Sequence, residues 1–269
     1  MYRRQFLIAG TSAGLAMPFL GSNAWAKPGR TTFSFGPQEL DWYPAKSSDQ
    51  SLPVMVYVHG GAWALGNKRK VGAKAEHFTR SGFHFASVGY NLYPFANIQQ
   101  QALQVGEAVN WINANASRLY ADPDKIVLMG HSAGCHLSSL ATLTGATNHV
   151  SALVCNDTRA YDLPFLAKIS GGALPLLYTR PFKKRAMWNA WSPISYTGFK
   201  PQPPTLVAWS GGSNRDRISM RFANALEQDG VEVHRYDGSR EYNHVSIDRR
   251  MGRRRDPLTK EISGFLNTI

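Results

Sequence analysis

Gly130-His131-Ser132-Ala133-Gly134 sets a hydroxyl between two glycines, immediately after the apolar run Ile126 to Met129 and ahead of a helical run from His136 to Leu143. A serine oxygen attacks a carbonyl only when a base removes its proton and the backbone holds it clear of the chain. A strand-to-helix turn tight enough to do this has no space for flanking side chains, and Gly130 and Gly134 leave that space free. Ser132 is therefore the candidate nucleophile, and acyl transfer through an acyl-enzyme is the chemistry it predicts.

Charge that develops on an attacked carbonyl oxygen needs N–H donors aimed at it. His59-Gly60-Gly61-Ala62-Trp63 follows the strand run Val54 to Val58 and precedes the serine turn in the chain. Such a glycine loop predicts backbone donors from Gly61 and Ala62, joined by the N–H of Ala133 just after the nucleophile. Losing one donor of this kind typically raises the barrier by about 3 kcal/mol. Trp63 rides on the same loop and is expected to face the reaction centre as part of the substrate pocket.

The base must come from later in the chain. Of the eight histidines, only His234 and His244 lie beyond the strand run Thr205 to Trp209. His234 sits inside the run Val231 to Tyr236, where its side chain is fixed to one face. His244 falls in the loop after that run, where it is free to reach Ser132, and is the candidate base. The acid that orients the imidazole is either Asp216, in the loop after Thr205 to Trp209, or Asp237, which closes the last strand; position favours Asp216.

No Cys or His cluster has metal-ligand spacing and no glycine loop precedes a Lys-Ser or Lys-Thr pair, so neither a metal nor a cofactor is expected. The formal charge is +12, with one basic run at Arg180, Lys183, Lys184 and Arg185 and another at Arg249, Arg250, Arg253, Arg254 and Arg255. This balance favours an anionic glycan or a membrane surface as a partner over nucleic acid. The two cysteines, Cys135 and Cys155, are too few for a disulfide framework and are expected to be buried free thiols.

These groups need elements to position them. Residues 1–26 combine Arg3-Arg4-Gln5-Phe6-Leu7 with a short apolar run to Leu20 and then Ala24-Trp25-Ala26, the pattern of a twin-arginine-type signal peptide, so a periplasmic or secreted location is expected. Residues 27–269 fit one domain. Short apolar runs at Val54 to Val58, Phe83 to Val88, Lys125 to Met129, Ala152 to Cys155, Thr205 to Trp209 and Val231 to Tyr236 alternate with helical runs, Ile98 to Leu119 being the longest. That alternation marks an α/β fold with a mostly parallel sheet. The Gly-, Pro- and aromatic-rich stretch 158–204 predicts a small cap insertion, with helical pieces at Asp162 to Lys168 and Arg185 to Trp191.

With these motifs in order, the chain resembles the α/β-hydrolase superfamily, in the esterase and lipase branch that carries a His-Gly-Gly loop. Two groups look most similar: the carbohydrate-active acyl esterases of bacteria and the arylformamidases, or kynurenine formamidases. The likeness runs through Tyr90-Asn91-Leu92-Tyr93-Pro94, Asp122-Pro123-Asp124-Lys125-Ile126, Ser210-Gly211-Gly212 and Asn243-His244-Val245-Ser246-Ile247. It implies an α/β-hydrolase fold with helices on both faces of the sheet, and a serine carboxylic ester hydrolase acting on small acetyl or aryl esters, glycan esters among them. It also implies Asp216 rather than Asp237 as the acid. An arylformamidase is the alternative that keeps the same catalytic groups; a non-catalytic envelope-binding protein on this fold is the more distant one. The chain departs from the pattern at Ala62, where a third glycine is frequent, and at Cys135, where glycine is frequent. Ala62 keeps its N–H, and Cys135 is expected to narrow the floor of the substrate pocket.

Overall fold

The computed structural model describes residues 29–45, 51–212 and 214–268, so the signal-peptide expectation lies outside the described residues. Eight strands form one sheet: β1 (Thr31–Phe35), β2 (Gln38–Tyr43), β3 (Leu52–Val58), β4 (His84–Val88), β5 (Ala121–His131), β6 (Ala152–Asn156), β7 (Thr205–Ser210) and β8 (Val233–Gly238). Their spatial order is β1-β2-β4-β3-β5-β6-β7-β8. Pairing is antiparallel for β1 with β2 and for β2 with β4. From β4 across to β8 every pair is parallel.

The expected mostly parallel sheet is therefore present, with an antiparallel edge ribbon, β1 and β2, that the apolar runs did not reveal. Its residues are short and half-polar: Glu39 and Asp41 interrupt β2, and Asp41 is buried only because Thr32, Arg30 and Lys68 supply partners. The central strands read as near-continuous apolar runs because both faces are covered. Alternate residues of β3 enter different cores: Val54, Val56 and Val58 pack on one side of the sheet, Met55 and Tyr57 on the other. Strands β5, β6 and β7 divide in the same way.

Nine α-helices are found among the described residues. They are α1 (Lys74–Arg80), α2 (Ile98–Ala114), α3 (Ala116–Leu119), α4 (Ala133–Thr144), α5 (Leu163–Ile169), α6 (Leu176–Thr179), α7 (Arg215–Gln228), α8 (Ser246–Arg249) and α9 (Pro257–Leu266). Helices α2, α4 and α7 cover the Val56 face through residues such as Val105, Leu137 and Phe222. Helices α1 and α9 cover the Tyr57 face through Phe78 and Phe265. The helical run from Ile98 to Leu119 is broken at Asn115, whose side chain donates to the carbonyl of Trp111, so α2 ends there and α3 restarts. Asn97 and Gln100 form a reciprocal capping box that fixes the start of α2.

Between β6 and β7 the chain leaves the sheet to form α5, α6 and two short 3₁₀ turns, Arg185–Met187 and Pro193–Tyr196. Tyr178 and Phe182 anchor this segment on the indole of Trp63, with ring centroids 5.1 and 4.6 Å away. It therefore lies against the glycine loop.

Candidate active site

Ser132 stands at the junction of β5 and α4 with φ 55° and ψ −118°, a left-handed conformation that costs a non-glycine residue on the order of 1–3 kcal/mol. The surroundings enforce it. The Ser132 N–H donates to Asn156 O at 3.1 Å, and His136 N–H donates to Ser132 O at 3.1 Å. A Cβ on Gly130 would lie 2.3 Å from Gly134 O, and one on Gly134 would lie 2.1 Å from Val58 O. Both glycines are thus required by close backbone approach, as the G-x-S-x-G spacing predicts.

His244 arrives in the loop between β8 and α8. Its Nε2 lies 2.9 Å from Ser132 Oγ, and its Nδ1 lies 2.9 Å from Asp157 Oδ2. A carboxylate can only accept, so Nδ1 carries the proton and the Nε2 lone pair faces the serine hydroxyl. The structure thus brings Ser132 and His244 together across the C-terminal edge of the sheet.

The acid on this histidine is Asp157, which corrects the expectation of Asp216. Asp157 directly follows β6, the neighbour of the nucleophile strand, and its N–H donates to Ala208 O at 3.0 Å. Asp216 lies in the first turn of α7 and is exposed. The adjacent residue, Arg215, is the one turned inward, because successive residues on a helix diverge by about 100°. Arg215 Nη1 donates to Asp157 Oδ1 at 2.9 Å, and Ser210 Oγ donates to Oδ2. Burial by itself would push the Asp157 carboxyl up, yet the hydrogen bond from His244, the Arg215 guanidinium and the Ser210 hydroxyl together hold it well below the usual carboxylate range. The rival Asp237 is also exposed and accepts from Ser239 N–H in a turn. His234 pairs with Glu232 at 3.1 Å.

The serine order could have pointed to Asp157, since it too lies between Ser132 and His244 in the chain. What singles it out is the adjacency of β5 and β6, which a sequence does not print.

The histidine loop is held from below by residues that sequence reasoning left aside. His131 Nε2–H donates to the main-chain oxygen of His244 at 2.8 Å, and the two rings lie 4.8 Å apart. Burial lowers the pKa of His131, which keeps it neutral beside the base. Tyr57 OH donates to Asp248 Oδ1 at 2.8 Å, and Lys74 Nζ, almost fully buried, lies 3.0 Å from the same atom. These contacts fasten α8, and with it His244, to β3 and α1. His131, Asp157 and His244 place one ligand atom each within 4.8 Å. Both ring nitrogens of His244 and both oxygens of Asp157 are nevertheless committed to protein partners.

The glycine loop abuts the nucleophile. A Cβ on Gly60 would lie 3.0 Å from Ser132 Cβ, so the backbone there passes against the serine. Gly61, Ala62 and Trp63 have φ of 132°, 50° and 62°, and Gly61 O accepts from Ala64 and Leu65 N–H. Among the described residues, no group accepts from the N–H of Gly61 or Ala62. Ala133 is the first residue of α4, where the N–H has no partner within the helix.

Trp63 and Cys135 do not line an open pocket, contrary to expectation. Trp63 is 2% exposed; its left-handed backbone turns the ring inward, where Nε1 donates to His136 Nδ1 at 3.1 Å. His136 Nε2–H in turn donates to Trp191 O at 2.7 Å, and burial lowers its pKa to about 4. Cys135 is fully buried on the sheet-facing side of α4, its Sγ 3.2 Å from Tyr161 OH. Cys135 and Cys155 are both free.

A nucleophile elbow at a parallel strand end, with a histidine and a carboxylate delivered from later strand ends, is the arrangement of the serine-type α/β-hydrolase fold. The fold is that of the α/β-hydrolases, and the proteins this chain is similar to fall in the esterase and lipase branch. The BD-FAE family model matches residues 40–165. An Arabidopsis thaliana isoprenylcysteine alpha-carbonyl methylesterase is 30% identical over 129 residues, 47% of this chain and 30% of that protein. The probable carboxylic ester hydrolase LipM of Mycobacterium tuberculosis is 38% identical over 95 residues, 35% of this chain and 22% of that protein. A Danio rerio kynurenine formamidase is 30% identical over 112 residues, 42% of this chain and 37% of that protein. The matched stretches thus span well under half of these relatives. Solved structures share the fold across nearly the whole chain. A truncated carbohydrate esterase from gut microbiota superposes with a TM-score of 0.73 at 18% identity, covering 90% of this chain and 96% of that one. An esterase of Thermogutta terrifontis gives 0.72 at 16% identity, covering 90% and 91%.

Proposed function

We propose that this protein is a serine carboxylic ester hydrolase that works through an acyl-enzyme on small acetyl or aryl esters, including esters of glycans. The unbroken hydrogen-bonded line Ser132 Oγ, His244 and Asp157 is the observation that carries this reading. As Ser132 Oγ bonds to the carbonyl carbon, its proton passes to His244 Nε2, and Asp157 stabilises the resulting imidazolium without taking a proton. The N–H groups of Ala133, Gly61 and Ala62 receive the oxyanion. Collapse breaks the bond to the alcohol, which leaves with the proton from His244; water then repeats the sequence and frees the acid. Ser132→Ala should lower kcat on p-nitrophenyl acetate by about 10⁴-fold or more while the fold persists. A folded Ser132→Ala variant with undiminished turnover contradicts the mechanism.

The kynurenine formamidase similarity supports a second reading, hydrolysis of a formyl anilide by the same groups. Comparing kcat/KM on formylkynurenine with that on acetylated oligosaccharides separates the two. The twin-arginine pattern at residues 1–26 supports export to the periplasm or beyond. Replacing Arg3 and Arg4 by lysine should retain the protein in the cytoplasmic fraction; unchanged export speaks against this route.

A further inference from the structure

The segment from Leu163 to Pro204, between β6 and β7, contains Lys168, Arg180, Lys183, Lys184, Arg185 and Lys200 and not one Asp or Glu. All of these cations are exposed, and none forms an ion pair among the described residues. The same segment carries Leu176 and Leu177, 86% and 70% exposed, with Leu177 one helical turn before Arg180. The inner side of the same stretch is fixed, because Tyr178 and Phe182 are buried against Trp63. A leucine pair is thus held outward by a rigid anchor, followed within a few residues by four of the cations. A cleft of about 310 Å³ in the same segment is bordered by Lys168, Gly172, Arg185 and Trp188, with the Arg185 guanidinium 5.3 Å from the Trp188 ring.

We infer that this cap face docks peripherally on an anionic lipid surface, the two leucines entering the boundary between headgroups and acyl chains while the cations meet lipid phosphates. An acidic glycan would engage the charges alone and leave the leucines in water, so the apolar pair favours lipid. The cap lies against the glycine loop, so docking brings the site to amphiphilic esters at the surface; this consequence rests on the proposed hydrolase activity, whereas the binding itself does not.

The test is co-sedimentation of the full chain, with and without Ser132→Ala, on phosphatidylcholine vesicles with and without phosphatidylglycerol. Binding is expected only with phosphatidylglycerol, and it should weaken steeply as salt is raised. Lys183→Gln with Lys184→Gln should weaken it about 25-fold, from about 1 kcal/mol per charge. Leu176→Ser with Leu177→Ser should weaken it about tenfold or more. Turnover of soluble p-nitrophenyl acetate by both double variants should stay at the parent value, which shows that they fold. Equal binding to neutral vesicles, no vesicle binding, or a leucine variant that binds like the parent overturns the inference. Capture by soluble polygalacturonate without vesicle binding overturns it in favour of an acidic glycan. Vesicle binding by a chain that hydrolyses no ester leaves the docking face standing and removes the esterase reading.

Discussion

Asp157 and Arg215 form a buried ion pair, with Nη1 2.9 Å from Oδ1 and the Asp157 side chain wholly enclosed. One oxygen of the carboxylate is taken by the guanidinium, which leaves the other to Ser210 and His244. The residue that orients the base is therefore itself oriented, by the first residue of α7.

This relationship separates the three candidate acids. Asp157→Asn should lower kcat by about 10³ to 10⁴-fold, because an amide can donate to Nδ1 and so turn the imidazole into the wrong tautomer. Asp216→Asn and Asp237→Asn, both at exposed positions, should stay within a few-fold of the parent. Steady-state rates on one aryl ester decide it, and a collapse in Asp216→Asn contradicts the assignment.

The same pair makes stability depend on pH with a defined sign. The folded-state pKa of Asp157 is depressed, so its stabilisation is complete above the unfolded carboxylate value near 4 and fades as pH falls below it. Urea unfolding of the parent and Asp157→Asn should differ by roughly 3 kcal/mol at pH 7, and the gap should narrow from about pH 4 downward. A gap that widens on acidification is the contrary result.

Lys74 and Asp248 predict a mutational effect away from the reacting atoms. Lys74→Met removes the ion pair of the partly buried Asp248 and leaves it the hydrogen bond from Tyr57. Breaking such a pair typically costs about 3–5 kcal/mol. Thermal melts should show the loss, and in the surviving folded fraction kcat should fall while KM on a small ester changes little, because α8 tethers the loop that carries His244.

The glycines offer a contrast within one residue type. Gly134→Ala should cost about 3 kcal/mol or prevent folding, since the added Cβ would meet Val58 O. Gly264→Ala, on α9 with nothing within 4 Å of its Cβ and an ordinary φ, should be neutral or stabilising by about 0.5–1 kcal/mol. Differential scanning calorimetry of the two variants distinguishes steric need from mere occurrence.

The sequence carried much of this architecture, and its silences have physical causes. The strands β3 to β7 were readable because burial on both faces demands unbroken apolar runs, and the elbow because two glycines at fixed spacing have few other reasons. The β1–β2 ribbon was hidden because an edge pair needs less apolar surface and tolerates Glu39 and Asp41. The acid was misplaced because any carboxylate after a strand looks alike in one dimension. Only the lateral order of β5 and β6 brings Asp157 beside the base, and only the rotation of α7 sends Arg215 inward and Asp216 out. Trp63 was misread for a related reason: a loop that touches the nucleophile still sends its side chains wherever φ directs them, and here φ directs the indole into the core beneath the cap.

The most direct test of the central claim is labelling with a fluorophosphonate, followed by mass mapping of the modified peptide. The geometry predicts one adduct per chain, on Ser132, absent in Ser132→Ala and strongly slowed in both His244→Ala and Asp157→Asn. A folded protein that takes no label, or takes it on another residue at the same rate in all variants, contradicts the account.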